Sequence, residues 1–152
     1  MTVETINDVL ELTRQLHANL ADALERASRE VKQERLRMLL DYLSLHEREL
    51  SRVVALSEDD ASTAAIHTWC TEYFDMHPFA LERLDNIDYA NMRPEEVMGS
   101  LLAIHNQLID LYRFLARRAG ASSTEELLNN LLTLEQHEAM RMVRDAEELE
   151  DI

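Results

Sequence analysis

Residues 93–120, RPEEVMGSLLAIHNQLIDLYRFLARRAG, read as one helix with both of its ends marked. Pro94 is pre-set for a first helical turn, and Glu95 and Glu96 lie beside the positive end of the helix dipole. Met98, Leu101, Leu102, Leu108 and Tyr112 recur at steps of three, four and seven, which puts them on one face. Arg117 and Arg118 suit the negative end, and Gly120 stands where a C-terminal cap is expected. Ser122 with Glu125, or Ser123 with Glu126, offers a capping box for a following helix that reaches about residue 148. The acidic end of that helix, Glu147 to Asp151, opposes its own dipole and is expected to fray into solvent.

The N-terminal third repeats this design. Val9, Leu12, Leu16, Leu20, Leu24 and Ala27 mark a helix over about residues 4–28. Val31, Leu36, Leu39, Leu43, Leu50, Val53 and Leu56 mark a second one ending near residue 57, with a tight turn expected around Ser28 to Glu30. Between the two hairpins, residues 58–93 form a crossover. Asp59, Asp60 and Ser62 open a short amphipathic helix there, carrying Ile66, Trp69, Cys70 and Tyr73 on one side and ended by Pro78. The expected fold class is therefore all-α: one domain over residues 1–152, a four-helix bundle of two helical hairpins (4–57 and 94–148) with one long crossover.

Composition agrees and narrows function. The chain has 152 residues with only two glycines and two prolines, too few for the turns of a sheet protein. Thirty acidic against fifteen basic residues leave a formal charge of −15, which repels nucleic acid and anionic membranes alike. No apolar run is long enough to span a membrane, and the first residues lack the basic start of an export signal. The single cysteine, Cys70, has no partner for an internal disulfide, so a reducing cytoplasm is the expected compartment. The aromatic cluster Trp69, Tyr73, Phe74 and Phe79 either packs the crossover or forms the surface of a homodimer.

Six polar residues sit on the apolar stripes. His17 falls among Leu10, Thr13, Leu20 and Leu24; His105 among Met98, Leu101, Leu108 and Tyr112; His46 among Leu39, Leu43, Leu50 and Val53. Glu49 shares the stripe of His46, and Glu135 and Glu138 lie among Leu128, Leu131, Leu132, Ala139 and Met142. His17 maps onto His105 at an offset of 88 residues. The segment Leu43-Ser-Leu-His-Glu-Arg-Glu matches Leu132-Thr-Leu-Glu-Gln-His-Glu at an offset of 89, which maps His46 onto Glu135 and Glu49 onto Glu138. On that register Glu47 and His137 leave the stripe and are expected at the surface, as are His67 and His77. Six such groups are buried only as metal ligands or as a closed His/Glu hydrogen-bonded network, since an unpartnered buried charge costs several kcal/mol.

One carboxylate from each of two helices with a Glu-x-x-His pair from each of the other two is the dinuclear pattern of ferritin-like proteins. This chain resembles their rubrerythrin branch, most clearly in His105-Asn-Gln-Leu-Ile-Asp-Leu-Tyr-Arg-Phe-Leu-Ala and in Leu134-Glu-Gln-His-Glu, with both hairpins covered. The resemblance implies a metal centre held by His17, His46, Glu49, His105, Glu135 and Glu138. It further implies two iron ions, Glu135 as their bridge, Tyr112 as a hydrogen-bond partner at the centre, and redox chemistry with O2 or peroxide. Departures are evident: five of the family's six ligand positions are exchanged in type, His17, His46 and His105 for Glu and Glu49 and Glu138 for His, leaving three His and three Glu. An imidazole-richer set also suits zinc or a single ion. The alternative reading is a metal-free bundle that works as an interaction scaffold.

Overall fold

The computed structural model describes residues 3–69, 87–120 and 122–150, and its long elements are all helical. Four long helices carry the fold: α1 (Ile6–Glu30), α2 (Glu34–Asp60), α4 (Pro94–Arg118) and α5 (Ser122–Glu150). Between the hairpins lie the single helical turn α3 (Thr63–Ile66) and a 3-10 turn at Tyr89–Asn91. None of these helices is long and apolar enough to cross a membrane.

The ends of α1 and α4 follow local chemistry. Thr5 caps α1 by accepting the Asp8 amide through its hydroxyl at 3.3 Å, while the Asp8 carboxylate accepts the Thr5 amide at 3.1 Å. At the start of α4 the Glu96 carboxylate accepts from the Arg93 amide at 3.3 Å and from its guanidinium at 2.8 Å. The turn expected near Ser28 falls later, at residues 31–33, because nothing in the sequence stops α1 at Ser28. Ser28 is instead buried and its hydroxyl is tied to Asp41 of α2. Gly120 does not act as a left-handed cap either: α4 ends on Ala119 in extended conformation, and no described glycine has positive φ.

α1 and α2 pack antiparallel, as the Ser44 hydroxyl bonds the Ala21 carbonyl at 2.8 Å and the Ser51 hydroxyl the Arg14 carbonyl at 3.0 Å. α2 and α5 are antiparallel as well, with Tyr42 paired to Asp145 and His46 to Glu138. All four long helices contribute to one apolar core, including Leu10, Leu20 and Leu24 of α1, Leu40 and Leu43 of α2, Leu101 and Leu108 of α4, and Leu128 and Leu131 of α5. Each fully buried leucine of this kind contributes about 1.5–3 kcal/mol of burial free energy.

The crossover differs from expectation in what is visible of it. α3 is one turn, capped by the Ser62 hydroxyl, and Trp69 is 71% exposed rather than packed inward. Residues 68 and 69 instead run beside the start of α1, where the Ile6 amide bonds the Thr68 carbonyl at 3.0 Å and Thr5 bridges Trp69. Cys70, Tyr73, Phe74, His77 and Phe79 lie outside the described residues.

The two hairpins repeat with one constant spacing. Ile6 and Glu30 bound α1, Pro94 and Arg118 bound α4, and Glu34 and Ser122 open α2 and α5; each pair is 88 residues apart. Buried positions follow suit: Leu16, His17, Leu20, Ala21 and Leu24 of α1 recur as Ile104, His105, Leu108, Ile109 and Tyr112 of α4. Leu36, Leu40, Leu43 and Val54 of α2 recur as Thr124, Leu128, Leu131 and Met142 of α5.

Candidate metal centre

Under the 88-residue repeat, one polar side chain from each long helix reaches the middle of the core. These are His17 of α1, Glu47 of α2, His105 of α4 and Glu135 of α5, all with 0% exposure. They close a four-membered ring. His17 Nδ1 lies 2.6 Å from Glu47 Oε2 and its Nε2 lies 2.7 Å from Glu135 Oε1. His105 Nδ1 lies 2.9 Å from Glu135 Oε2 and its Nε2 lies 2.6 Å from Glu47 Oε1. The bonding is two-fold symmetric: each imidazole uses Nδ1 toward the carboxylate of its own hairpin and Nε2 toward that of the other.

Each of the four bonds needs one proton. With both carboxyl groups ionised, all four protons sit on ring nitrogens and both imidazoles are imidazolium. Two positive and two negative charges then cancel. The electrostatics agree. Burial works against a charged His17, but the Glu135 and Glu47 carboxylates outweigh it and raise the group to about 9. His105 is treated alike by burial, then by the Glu47 charge and its bonds to both carboxylates, and rises to about 10. Burial disfavours the charged forms of Glu47 and Glu135 too, yet the two imidazolium ions hold each carboxyl down at about 2. Such short charge-assisted bonds are what offset the desolvation of four buried ions.

Of the six residues expected at the centre, the structure brings His17, His105 and Glu135 together. Glu49 is placed elsewhere: its side chain is 59% exposed and pairs with Arg52 on the same helix. Glu47, expected at the surface, takes the inward position. The correction is one residue of register. Leu43, Glu47, Leu50 and Val54 step by four, three and four along the buried face of α2, and Glu49 lies about 200° away from Glu47. Carrying the 88-residue offset of His17 and His105 onto α2 would have mapped Glu47 onto Glu135. The text match at 89 pointed to its neighbour His46 instead.

His46 and Glu138 form a separate pair, Nδ1 to Oε2 at 3.1 Å, with side chains 15% and 20% exposed. Tyr112 is fully buried, but both nitrogens of His105 are taken by carboxylates. The Tyr112 phenol is pushed up by burial and by the Glu135 charge, against which the Thr13 hydroxyl works. His67 and His137 are exposed, as expected.

What fold and site together define is an all-α helical bundle with a buried His/Glu cluster able to hold a metal ion: donor atoms of His17, Glu47 and His105 all lie within 4.8 Å of one another. Comparison with known proteins adds no name to that class, for no family model, no curated protein and no solved structure matches the chain.

Proposed function

We propose that this protein binds a divalent transition-metal ion at the centre of its four-helix core, with His17, Glu47, His105 and Glu135 as donors. The observation that carries the reading is the fully buried ring of two imidazoles and two carboxylates, one from each long helix, in which donor atoms of His17, Glu47 and His105 lie within 4.8 Å of one another. The donor set fits the ion. Two carboxylates balance one divalent charge, and paired imidazoles favour zinc, iron, copper or nickel over magnesium or manganese. Two irons, as the ferritin-like resemblance implies, would leave two uncompensated positive charges among leucines, so one ion is the reading this ring supports. Bound iron would supply redox chemistry toward O2 or peroxide; zinc would supply none. The protein residues hold the ion, exclude water with the leucines around it, and surrender two protons from the imidazoles as it binds.

A second reading, a metal-free scaffold, is favoured by the completeness of the ring, which satisfies every N–H of both imidazoles without an ion. Metal content separates the two. Protein purified without chelator and then dialysed against Zn(II), Fe(II) under argon or Co(II) is assayed by plasma mass spectrometry. One ion per chain is expected, lost in His17→Gln/His105→Gln and retained in Glu49→Gln. A chain that stays folded and takes up none of the three metals refutes the metal reading and leaves the scaffold.

A further inference from the structure

The ring is symmetric, whereas the α2–α5 seam that flanks it is not. On one side of the ring level the seam holds His46 and Glu138, polar and each in partial contact with solvent. The 88-residue repeat carries His46 onto Leu134 and Glu138 onto Leu50. Leu50 follows Glu47 by one turn and Leu134 precedes Glu135, so this leucine pair occupies the equivalent place on the opposite side of the ring. Leu50 is 1% exposed. Leu134 is half-buried, as His46 and Glu138 are, so what distinguishes the two sides is that the same position in the seam is apolar on one and polar on the other.

Stability does not account for that difference. A partly exposed His/Glu pair contributes little, and two leucines at the equivalent place bury more apolar surface. The pair is nevertheless held in place. The His46 imidazole lies against the Tyr42 ring at 4.4 Å between centroids, and the Tyr42 hydroxyl is tied to Asp145. Glu138 has the Arg141 guanidinium at 4.0 Å, and Arg141 in turn reaches Asp145 at 3.9 Å. His46 adjoins Glu47 in sequence, and Glu138 stands one turn, about 5 Å of helix rise, from Glu135. A partly exposed imidazole and carboxylate thus adjoin the level of the buried donors on one side, where the other side has leucines.

We propose that the His46–Glu138 pair is a transit site for a divalent cation, the port through which the ion reaches the buried ring. The proposal rests on the metal reading of that ring. Two donors in contact with water replace only part of an ion's hydration shell, so the pair binds weakly and releases; four buried donors then hold the ion. Leu50 and Leu134 themselves offer no donor atom to replace the lost water.

Uptake kinetics test it. Co(II) is mixed with the metal-free full chain in a stopped-flow instrument, and its visible absorption bands are followed to completion. The variants are His46→Leu/Glu138→Leu, which copies the leucine side, and Glu138→Gln, a milder change in case the first folds poorly. The expected result is an uptake rate at least tenfold lower in the double variant and lower in Glu138→Gln, with the final spectrum and stoichiometry of the wild type. Wild-type rates in both variants overturn the proposal. So does loss of final binding, which would make the pair part of the centre. Absence of uptake by the wild type itself refutes the metal reading and is recognised without any variant.

Discussion

Alkaline pH should unlock the core of the metal-free protein. His17 and His105 ordinarily titrate near 6.5, and in the folded chain the carboxylates around them raise them to about 9 and about 10. A group whose folded pKa lies above its unfolded one stabilises the fold fully below the unfolded value, and that stability is lost as pH rises through the folded value. Each pKa unit corresponds to about 1.4 kcal/mol. Because both imidazoles share the same two carboxylates, they titrate as a coupled set and their separate contributions do not add. A loss on the order of 5 kcal/mol between pH 6 and 10 is expected, a large part of the 5–15 kcal/mol typical of a domain. Glu47 and Glu135 work in the opposite sense: held at about 2, they contribute above their ordinary value of 4.5 and lose that contribution as pH falls toward 2. Stability should therefore peak between about pH 4.5 and 6.5. The assay is urea unfolding of chelator-treated protein at pH 6, 7.5 and 9, beside a variant carrying His17→Leu, Glu47→Met, His105→Leu and Glu135→Met. The wild type should lose stability across this range while the variant stays nearly level. Equal slopes, or a level wild-type curve, would show that the imidazoles are not held as imidazolium ions and would refute the ring as described.

Removing one member of the ring should cost far more than replacing all four. Glu47→Ala strands two imidazolium ions on one carboxylate and is expected to lose about 3–5 kcal/mol in the same unfolding assay, whereas the four-residue apolar variant holds or gains stability. Exchanging types within one hairpin, His17→Glu with Glu47→His, sets like groups beside each other and should lower the melting temperature sharply. Adding His105→Glu and Glu135→His restores the alternation, and recovery of part of the loss is the expected readout. Glu49→Ala should change neither the melting temperature nor metal stoichiometry, because its side chain meets only Arg52 in solvent. Leu43→Ala, at a fully buried core position, should cost about 2–5 kcal/mol, measured by urea unfolding at pH 6.

The helices, their pairing into hairpins and the repeat between them were legible in the sequence, because apolar spacing and terminal residues act over one or two turns. So were His17, His105 and Glu135, each centred on a stripe and flanked three or four residues away by apolar neighbours. Local pattern had less to say about α2, where His46, Glu47 and Glu49 crowd within one turn. A buried stripe spans over 100° of a helix, so neighbours 100° apart both pass a test of spacing. The strongest string match, at 89, then displaced the register by one residue. Which carboxylate turns inward was decided by packing against α1 and α4, where His17 and His105 each require acceptors at both nitrogens. The charges were likewise a tertiary property. No stretch of sequence makes an imidazolium stable in an apolar core; two carboxylates delivered from separate helices at 2.6–2.9 Å do.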